Sequence, residues 1–416
     1  MQYAMKTCGL DVHKDIIFCA IYDGKVSVVK QFSSFTPDLR DMCQYIKGEG
    51  VTTVAMESTG IYIEAIRTVL RQNGMKALVV NPFLIKQMPG RKSDVKDAEW
   101  IAKLHYKQML SESFVPDGTL SGLRAYTREH RKLVQRRSQV LTKIDRLLVA
   151  GGIRLSSCVS SLDTKSFQKV ARAVSEGETD PEKLEKKVQG CTKHKRDGTL
   201  RKALTGCIET QHVWRLKIAM EELDLYDRLI ADALEKMEEL TEAHYHEEAK
   251  LIQTVPGIGR LGAICTIAEI GTDMQRFGSG GRLAGWAGMR PRNDESAGKC
   301  KSTAITKGGV HLKPILVQCA WSAVRVNDSK FQQCFQRLCV RKSAKKAIIA
   351  IARKILVTVY SMLLNHEEYS PNKAGDGITA EQLQRKIQYH ISQTERLRRR
   401  MGTVSLLTSP TSNNTK

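Results

Sequence analysis

Residues 7–106 run through short β-forming stretches first and then alternate helix with strand, and this order constrains the chain more than any other feature. Thr7 to Asp11 is extended, Ile16 to Tyr22 is rich in β-formers, and Val26 to Phe32 follows after Asp23-Gly24. Tight turns of that kind join three antiparallel strands. A helical stretch at about 37–47 precedes Val51 to Met56, which reads as a buried strand ending at Glu57. An apolar-periodic helix over Ile61 to Arg71, a strand over Lys76 to Val80 and a helix over Asp94 to Tyr106 complete the set; the last carries Ala98, Ile101, Ala102 and Leu104 on its packing side.

The order β-β-β-α-β-α-β-α is that of a ribonuclease-H-like domain, an architecture that does not by itself supply chemistry. The acids supply it. Asp11 ends the first strand and Glu57 the fourth, while Asp94 and Asp97 are three apart and share one face of a helix. Four carboxylates gathered in one site repel unless divalent cations neutralise them, and all-oxygen ligation selects Mg²⁺ or Mn²⁺. Two such ions about 4 Å apart activate a nucleophile and stabilise a leaving oxygen at phosphorus. Each acid also has a structural reading: Asp94 as a helix N-cap beside Ser93, Asp97 as a partner of the helix dipole, Glu57 as a loop acid. His13 and His105 read as ordinary surface or supporting residues.

Charge points to the partner. The 416 residues carry a net charge of +22, and 251–416 holds 26 Lys and Arg against 10 Asp and Glu. A cationic third of that size fits a polyanion, most simply nucleic acid. No apolar run is expected to reach the roughly 20 residues needed to span a bilayer, and no signal peptide opens the chain. The 11 Cys lack a CxxC pair and read as reduced core thiols of a cytoplasmic protein. Cys191-Thr-Lys-His194 has ligand-like spacing but no second pair. The length suits two or three cores: an α/β domain over 1–110, coiled-coil helices over 111–250, a mainly helical domain over 251–365, and a basic helix with a disordered tail over 366–416.

Residues 118–150 and 213–250 read as long helices, the first with eight Lys/Arg from Arg124 to Arg146, the second with eleven acids from Glu221 to Glu248. Complementary charge on heptad-like patterns predicts an antiparallel or intermolecular coiled coil. The pair reads first as architecture or oligomerisation; a second reading puts Arg124, Arg128 and Arg131 on backbone phosphates. The polar stretch 153–212 reads as an inserted, mobile subdomain. Val255-Pro-Gly257-Ile-Gly259-Arg260 between apolar helices matches a helix-hairpin-helix, whose glycine turn brings backbone N–H groups to a phosphate. Further helices are expected over 261–270, 282–288, 310–324 and 344–364, and a basic one over Ile378 to Met401.

Between them lies a loop, Gly288-Met-Arg-Pro-Arg-Asn-Asp-Glu-Ser296-Ala-Gly-Lys299-Cys-Lys301, whose Ser296 is ringed by Arg290, Arg292, Lys299 and Lys301. A serine among such cations suits attack on a phosphodiester. A loop that only grips phosphate has the same composition, and Ser302, Thr303 and Thr306 are also hydroxyls.

Gly9-Leu-Asp11-Val-His-Lys-Asp, Met56-Glu57-Ser-Thr-Gly60, Asn81-Pro and Gly90-Arg-Lys-Ser-Asp94-Val-Lys-Asp97-Ala resemble the RuvC-like DEDD domain of the IS110 family of insertion-sequence transposases. Val255-Pro-Gly-Ile-Gly259, Phe277, Leu283-Ala-Gly-Trp-Ala-Gly288, Pro291, Ser296-Ala-Gly-Lys299 and Ile305-Thr-Lys-Gly308 resemble that family's C-terminal transposase domain. The resemblance covers about 5–110 and 250–325. It implies that Asp11, Glu57, Asp94 and Asp97 bind the metal and that Ser296 attacks DNA to form a transient phosphoserine. It implies nucleic-acid contacts through Arg290, Arg292, Lys299, Lys301, Lys307, Lys313, Gly257, Gly259 and Arg260. Further implications are a dimer of dimers holding donor and target DNA, guidance by a structured bridge RNA, and a prokaryotic, nucleoid-associated protein. The family's Ser-Ser-Gly-Gly-Lys appears here as Glu295-Ser296-Ala297-Gly298-Lys299, and its leucine-arginine pair as Leu312-Lys313. The residues alone leave two other readings: a metal-dependent junction-resolving nuclease that forms no covalent adduct, and a non-catalytic nucleic-acid-binding protein.

Overall fold

The computed structural model describes residues 6–371 except 59, 81–93, 111, 117, 191, 292–293, 297–298, 303 and 307. Of 192–193, 294–296 and 299–301 it describes the backbone only, and beyond 371 only scattered positions between 384 and 395. Two compact units divide the chain, Met1–Asp117 and Gly118–Lys416.

The first unit is a five-stranded sheet in the order β3-β2-β1-β4-β5. Its strands are β1 (Thr7–Val12), β2 (Ile16–Tyr22), β3 (Ser27–Ser33), β4 (Thr53–Glu57) and β5 (Lys76–Val80). β1 to β3 form an antiparallel meander, whereas β1, β4 and β5 are parallel neighbours. The parallel pairs follow from the helices threaded between these strands, α1 (Thr36–Gly48) and α2 (Tyr62–Gln72), since a parallel connection requires a crossover. Leu39, Met42 and Ile46 of α1 and Ile63, Ile66 and Leu70 of α2 share one core with Leu10, Val54 and Met56. The other face of the sheet carries α3 (Asp94–Tyr106), whose Ala98 and Ala102 pack on Phe18 and Ala20 and whose Ile101 packs on Ala55 and Val80.

The second unit is helical apart from one hairpin among the described residues. α4 (Gly118–Ala150) and α9 (Thr210–His244) run antiparallel along each other. Gly122 faces Leu240 at one end and Gly151 faces Ile208 at the other. The expected charge complementarity joins the two within the chain: Lys143 meets Glu222 at 3.0 Å, and Arg137 holds both Asp163 and Asp227. The second helix does not run unbroken to 250. It ends at Tyr245, which leaves helical geometry at φ −141°, and α10 (His246–Gln253) restarts beyond it.

The stretch 153–212, read from the sequence as an inserted subdomain, shares a core with the long helices. It folds into α5 (Lys165–Ser175), α6 (Pro181–Lys187), α7 (Thr192–Arg196) and α8 (Thr199–Leu204). Phe167, Val170, Leu184, Leu200 and Leu204 share one core with Ile144, Leu148, Leu216 and Leu223 of the long helices. Polar composition concealed a one-sided apolar pattern on short helices.

The remaining helices are α11 (Arg260–Ile270), α12 (Gly280–Trp286), α13 (Leu312–Ala323), α14 (Lys330–Cys339) and α15 (Ala344–Asn365), of which α14 was not foreseen. Contrary to the sequence expectation, α15 is long and apolar enough to cross a membrane, at 22 residues and a mean hydropathy of 1.9 over its most apolar window. Ile351, Ile355, Leu356 and Val359 are nonetheless fully enclosed by the molecule, which accounts for the composition as that of a core helix. Cys8, Cys19, Cys43, Cys265 and Cys319 are buried free thiols as expected, whereas Cys207 is exposed. The expected basic helix over 378–401 lies almost wholly outside the described residues.

Candidate active site

Strand alternation aims the acids. Along β1, Cys8, Leu10 and Val12 enter the core beneath α1 and α2, so Gly9 and Asp11 face α3. Along β4, Val54 and Met56 enter that same core while Ala55 packs against Ile101, so Glu57 takes the α3 face as well. Leu10 pairs with Met56 in parallel register, which makes Asp11 and Glu57 adjacent positions at the carboxyl ends of neighbouring strands. The first turn of α3 carries Asp94 and Asp97.

Gly9 is what lets that helix come so close. A Cβ there would stand 2.4 Å from the Ala102 amide nitrogen and 2.5 Å from the Ala98 carbonyl oxygen, where no side chain fits. The Thr7 hydroxyl donates to the Ala102 carbonyl at 3.0 Å from the same strand. Toward the other end of the helix His105 sits 3.3 Å from the Cys8 carbonyl and 3.4 Å from the Thr53 hydroxyl. Burial lowers the pKa of His105, so it is a neutral residue that joins α3 to β1 and β4.

Asp11 is only 7% exposed. Burial raises its pKa above the ordinary carboxylate value; His13 pulls it back, and the nearby charges of Asp97 and Asp94 push it up again. A buried carboxylate with two further acids beside it is what a bound cation relieves, so this donor set fits a divalent metal. The structure adds a residue that the sequence reading set aside. His13 Nε2 lies 3.0 Å from Asp11 Oδ2 and 3.7 Å from Asp94 Oδ1. One ligand atom from each of Asp11, His13 and Asp94 falls within 4.8 Å of the others. The signal was present in the sequence, because residues two apart on an extended chain share a face.

The Ser296 stretch is not the irregular loop expected. β6 (Asp294–Ser296) pairs antiparallel with β7 (Lys299–Ser302), and Ser296 opposes Lys299 at the end of the ladder. Pro291 and Ile305 bridge at its base. Two residues, Ala297 and Gly298, separate the paired ends, the spacing of a tight hairpin. The side chains of Arg292, Ser296, Lys299 and Lys301, and all of Thr303 and Lys307, lie outside the described residues. Of the other hydroxyls, Thr306 Oγ1 is shut away from solvent. Ser302 Oγ accepts the Ala304 amide at 3.2 Å. Arg290 is exposed, while Lys313 donates to the Thr306 carbonyl at 3.0 Å.

Several cations with a phosphate reading have protein partners. Arg128 grips Glu269 through two bonds of 2.9 and 3.0 Å. Arg124 donates to the carbonyls of Ala268 and Glu269 at the end of α11. Arg131 donates to the Val310 carbonyl at 2.8 Å. These arginines brace α4 against the helical bundle, in line with the architectural reading of that helix. Arg260 lies 3.3 Å from Glu238. Gly257, at φ +87°, packs where a Cβ would be 2.3 Å from the Ala323 amide nitrogen, so close approach to α13 explains its glycine. Gly259 is open to solvent, with nothing within 4 Å of the corresponding position.

An α/β unit with acids at the carboxyl ends of parallel strands, followed by a helical unit with a basic hairpin, defines a class that comparison makes specific. A DEDD-type IS110 family model described as "Transposase" matches residues 8–151. A second, described as "Transposase IS116/IS110/IS902 family", matches residues 249–336. The transposase for insertion sequence element IS1111A of Coxiella burnetii is 24% identical over 379 residues, 88% of this chain and 91% of that protein. The y4pF/y4sB protein of Sinorhizobium fredii is 30% identical over 138 residues, 32% of this chain and 35% of its own length. The insertion element IS900 42 kDa protein of Mycobacterium paratuberculosis is 30% identical over 158 residues, 37% of this chain and 38% of its own. The chain belongs to the IS110 family of insertion-sequence transposases.

Proposed function

We propose that the chain cuts and rejoins the DNA of an insertion sequence through a phosphoserine intermediate on Ser296, assisted by divalent metal at Asp11, Glu57, Asp94 and Asp97. The observation that carries the metal half is convergence: strand alternation and the contact at Gly9 bring Asp11, Glu57 and the first turn of α3 to one face of the sheet. A divalent cation bound there supplies charge neutralisation at the phosphoryl oxygens and lowers the pKa of a coordinated hydroxyl. Asp11 and Asp94 orient toward that point, and their mutual repulsion makes the site favour a cation over an empty cluster.

The serine half is supported by placement. Ser296 ends a strand beside a two-residue connection, between Arg290 and Arg292 on one side and Lys299 and Lys301 on the other. Of its three competitors, Thr306 is enclosed and Ser302 is engaged with backbone, while Thr303 lies outside the described residues. The Ser296 Oγ–P bond forms as the P–O bond to the neighbouring deoxyribose breaks, and the serine proton passes to a base or to the departing oxygen. A strand hydroxyl later attacks the same phosphorus and releases Ser296, so the phosphodiester energy is conserved. Lys299, Lys301, Lys307 and Arg292 steady the phosphate, an element-encoded bridge RNA selects the donor and target sites, and a dimer of dimers holds both DNAs.

The test is recovery of a covalent protein–DNA adduct after denaturation. Wild type forms it with Mg²⁺ present, while Ser296→Ala and Asp11→Ala do not. Recombination by Ser296→Ala would remove the nucleophile assignment, and metal-dependent cleavage without any adduct would favour hydrolysis.

A further inference from the structure

His13 stands in the acidic site, and reading the four acids as metal ligands gives it no role. Its backbone is set by the β1–β2 turn, where the His13 amide donates to the Ile16 carbonyl at 3.0 Å. Its ring stands edge-on to Phe18, with centroids 6.0 Å apart and planes at 85°. Phe18 is buried against Ala20, Ala98 and Ala102. Turn and aromatic contact together aim Nε2 between two carboxylates from different elements.

A hydrogen bond explains only part of that aim. One N–H satisfies Asp11 at 3.0 Å, but Asp94 at 3.7 Å lies beyond hydrogen-bond length. One donor atom from each of Asp11, His13 and Asp94 lies within 4.8 Å of the others, close enough for the three to share one cation after small side-chain rotations.

We propose that His13 is a nitrogen ligand of the metal site, completing a mixed imidazole–carboxylate set with Asp11 and Asp94. The proposal rests on reading the acids as a metal site and adds the class of ion taken. Mg²⁺ is the hardest of these ions and gains least from imidazole, so a nitrogen ligand biases the site away from Mg²⁺ toward a transition-metal ion, of which Mn²⁺ is the probe.

The experiment uses the full chain loaded with Mn²⁺ and pulsed electron paramagnetic resonance. Wild type is expected to show a directly coordinated ¹⁴N, replaced by a ¹⁵N pattern when histidine is ¹⁵N-labelled and absent in His13→Gln. Competition titrations should show the preference for Mn²⁺ over Mg²⁺ falling at least about tenfold in that variant. Mn²⁺ bound to wild type in an Asp11-dependent manner but without nitrogen coupling overturns the His13 assignment and leaves the carboxylate site standing. No Asp11-dependent Mn²⁺ binding at all overturns both. Persistence of the nitrogen signal in His13→Gln, with its thermal unfolding unchanged, overturns the assignment to this residue.

Discussion

At the scale of the residue, two buried charges behave in opposite ways. Asp11 is held among like charges, and burial raises its pKa. A carboxyl whose folded pKa lies above its unfolded one contributes stability in acid. That contribution is lost as pH climbs from the ordinary carboxylate range through the raised value. In metal-free protein, Asp11→Asn should therefore match wild type in acid and exceed its thermal midpoint above that window. Added Mn²⁺ should raise the midpoint of wild type and leave Asp11→Asn unmoved, as calorimetry can read. Glu269, only 4% exposed, is instead fully paired by Arg128 and approached by Arg124 at 3.8 Å. Replacing it with Ala leaves the half-exposed Arg128 without its carboxylate while Arg124 keeps its backbone carbonyls, and is expected to cost about 1–3 kcal/mol in denaturant unfolding. The positions of Asp11 and Glu57 at strand ends and of Asp94 and Asp97 in a first helical turn were legible because the periodicity of their elements is strong. For Arg124, Arg128 and Arg131 the sequence left an architectural and a phosphate role side by side, because a cation facing a helix end and a cation facing DNA look alike until the fold supplies Glu269 and the carbonyls of Ala268 and Val310.

At the scale of the element, placement depends on packing more than on surface charge. Gly9→Ala must push α3 off the sheet, and overpacking of this kind costs about 1–3 kcal/mol. The expected signature is a folded protein whose Mn²⁺-induced stabilisation has disappeared, because Asp94 no longer reaches Asp11. Between α4 and α9, Leu216→Ala should cost about 2–5 kcal/mol in unfolding experiments because it opens a filled core. Lys143→Ala, which loses only an exposed pair, should cost about 0.2–1 kcal/mol. Helix and strand positions in 7–106 were legible because their periodicity is strong. The Ser296 hairpin was not, since three- and four-residue strands joined by Ala297-Gly298 carry no periodic signal. The helices of 153–212 were hidden for a related reason: Phe167, Leu184 and Leu200 find their core only against the long helices, far away in sequence.

At the scale of the molecule, charge and register govern behaviour. The excess of 26 basic over 10 acidic residues in 251–416 predicts DNA binding that weakens steeply with salt. Between 50 and 200 mM salt, a protein neutralising six to ten phosphates loses about a thousandfold or more in affinity. A fluorescence-anisotropy titration giving a flat salt response would exclude the helical unit as the main DNA contact. The parallel register of β1 and β4 has a consequence of another kind. Asp11 and Glu57 reach the α3 face only because each strand is in phase with its neighbour. A single codon gained or lost within either strand would turn its acid into the core beneath α1 and α2. On the chemistry proposed for the acids, such a lesion would abolish activity at once and not weaken it by degrees. Copies bearing these indels should fall out of mobility at a stroke, so a genome's collection would sort into working and silent members with few of intermediate activity.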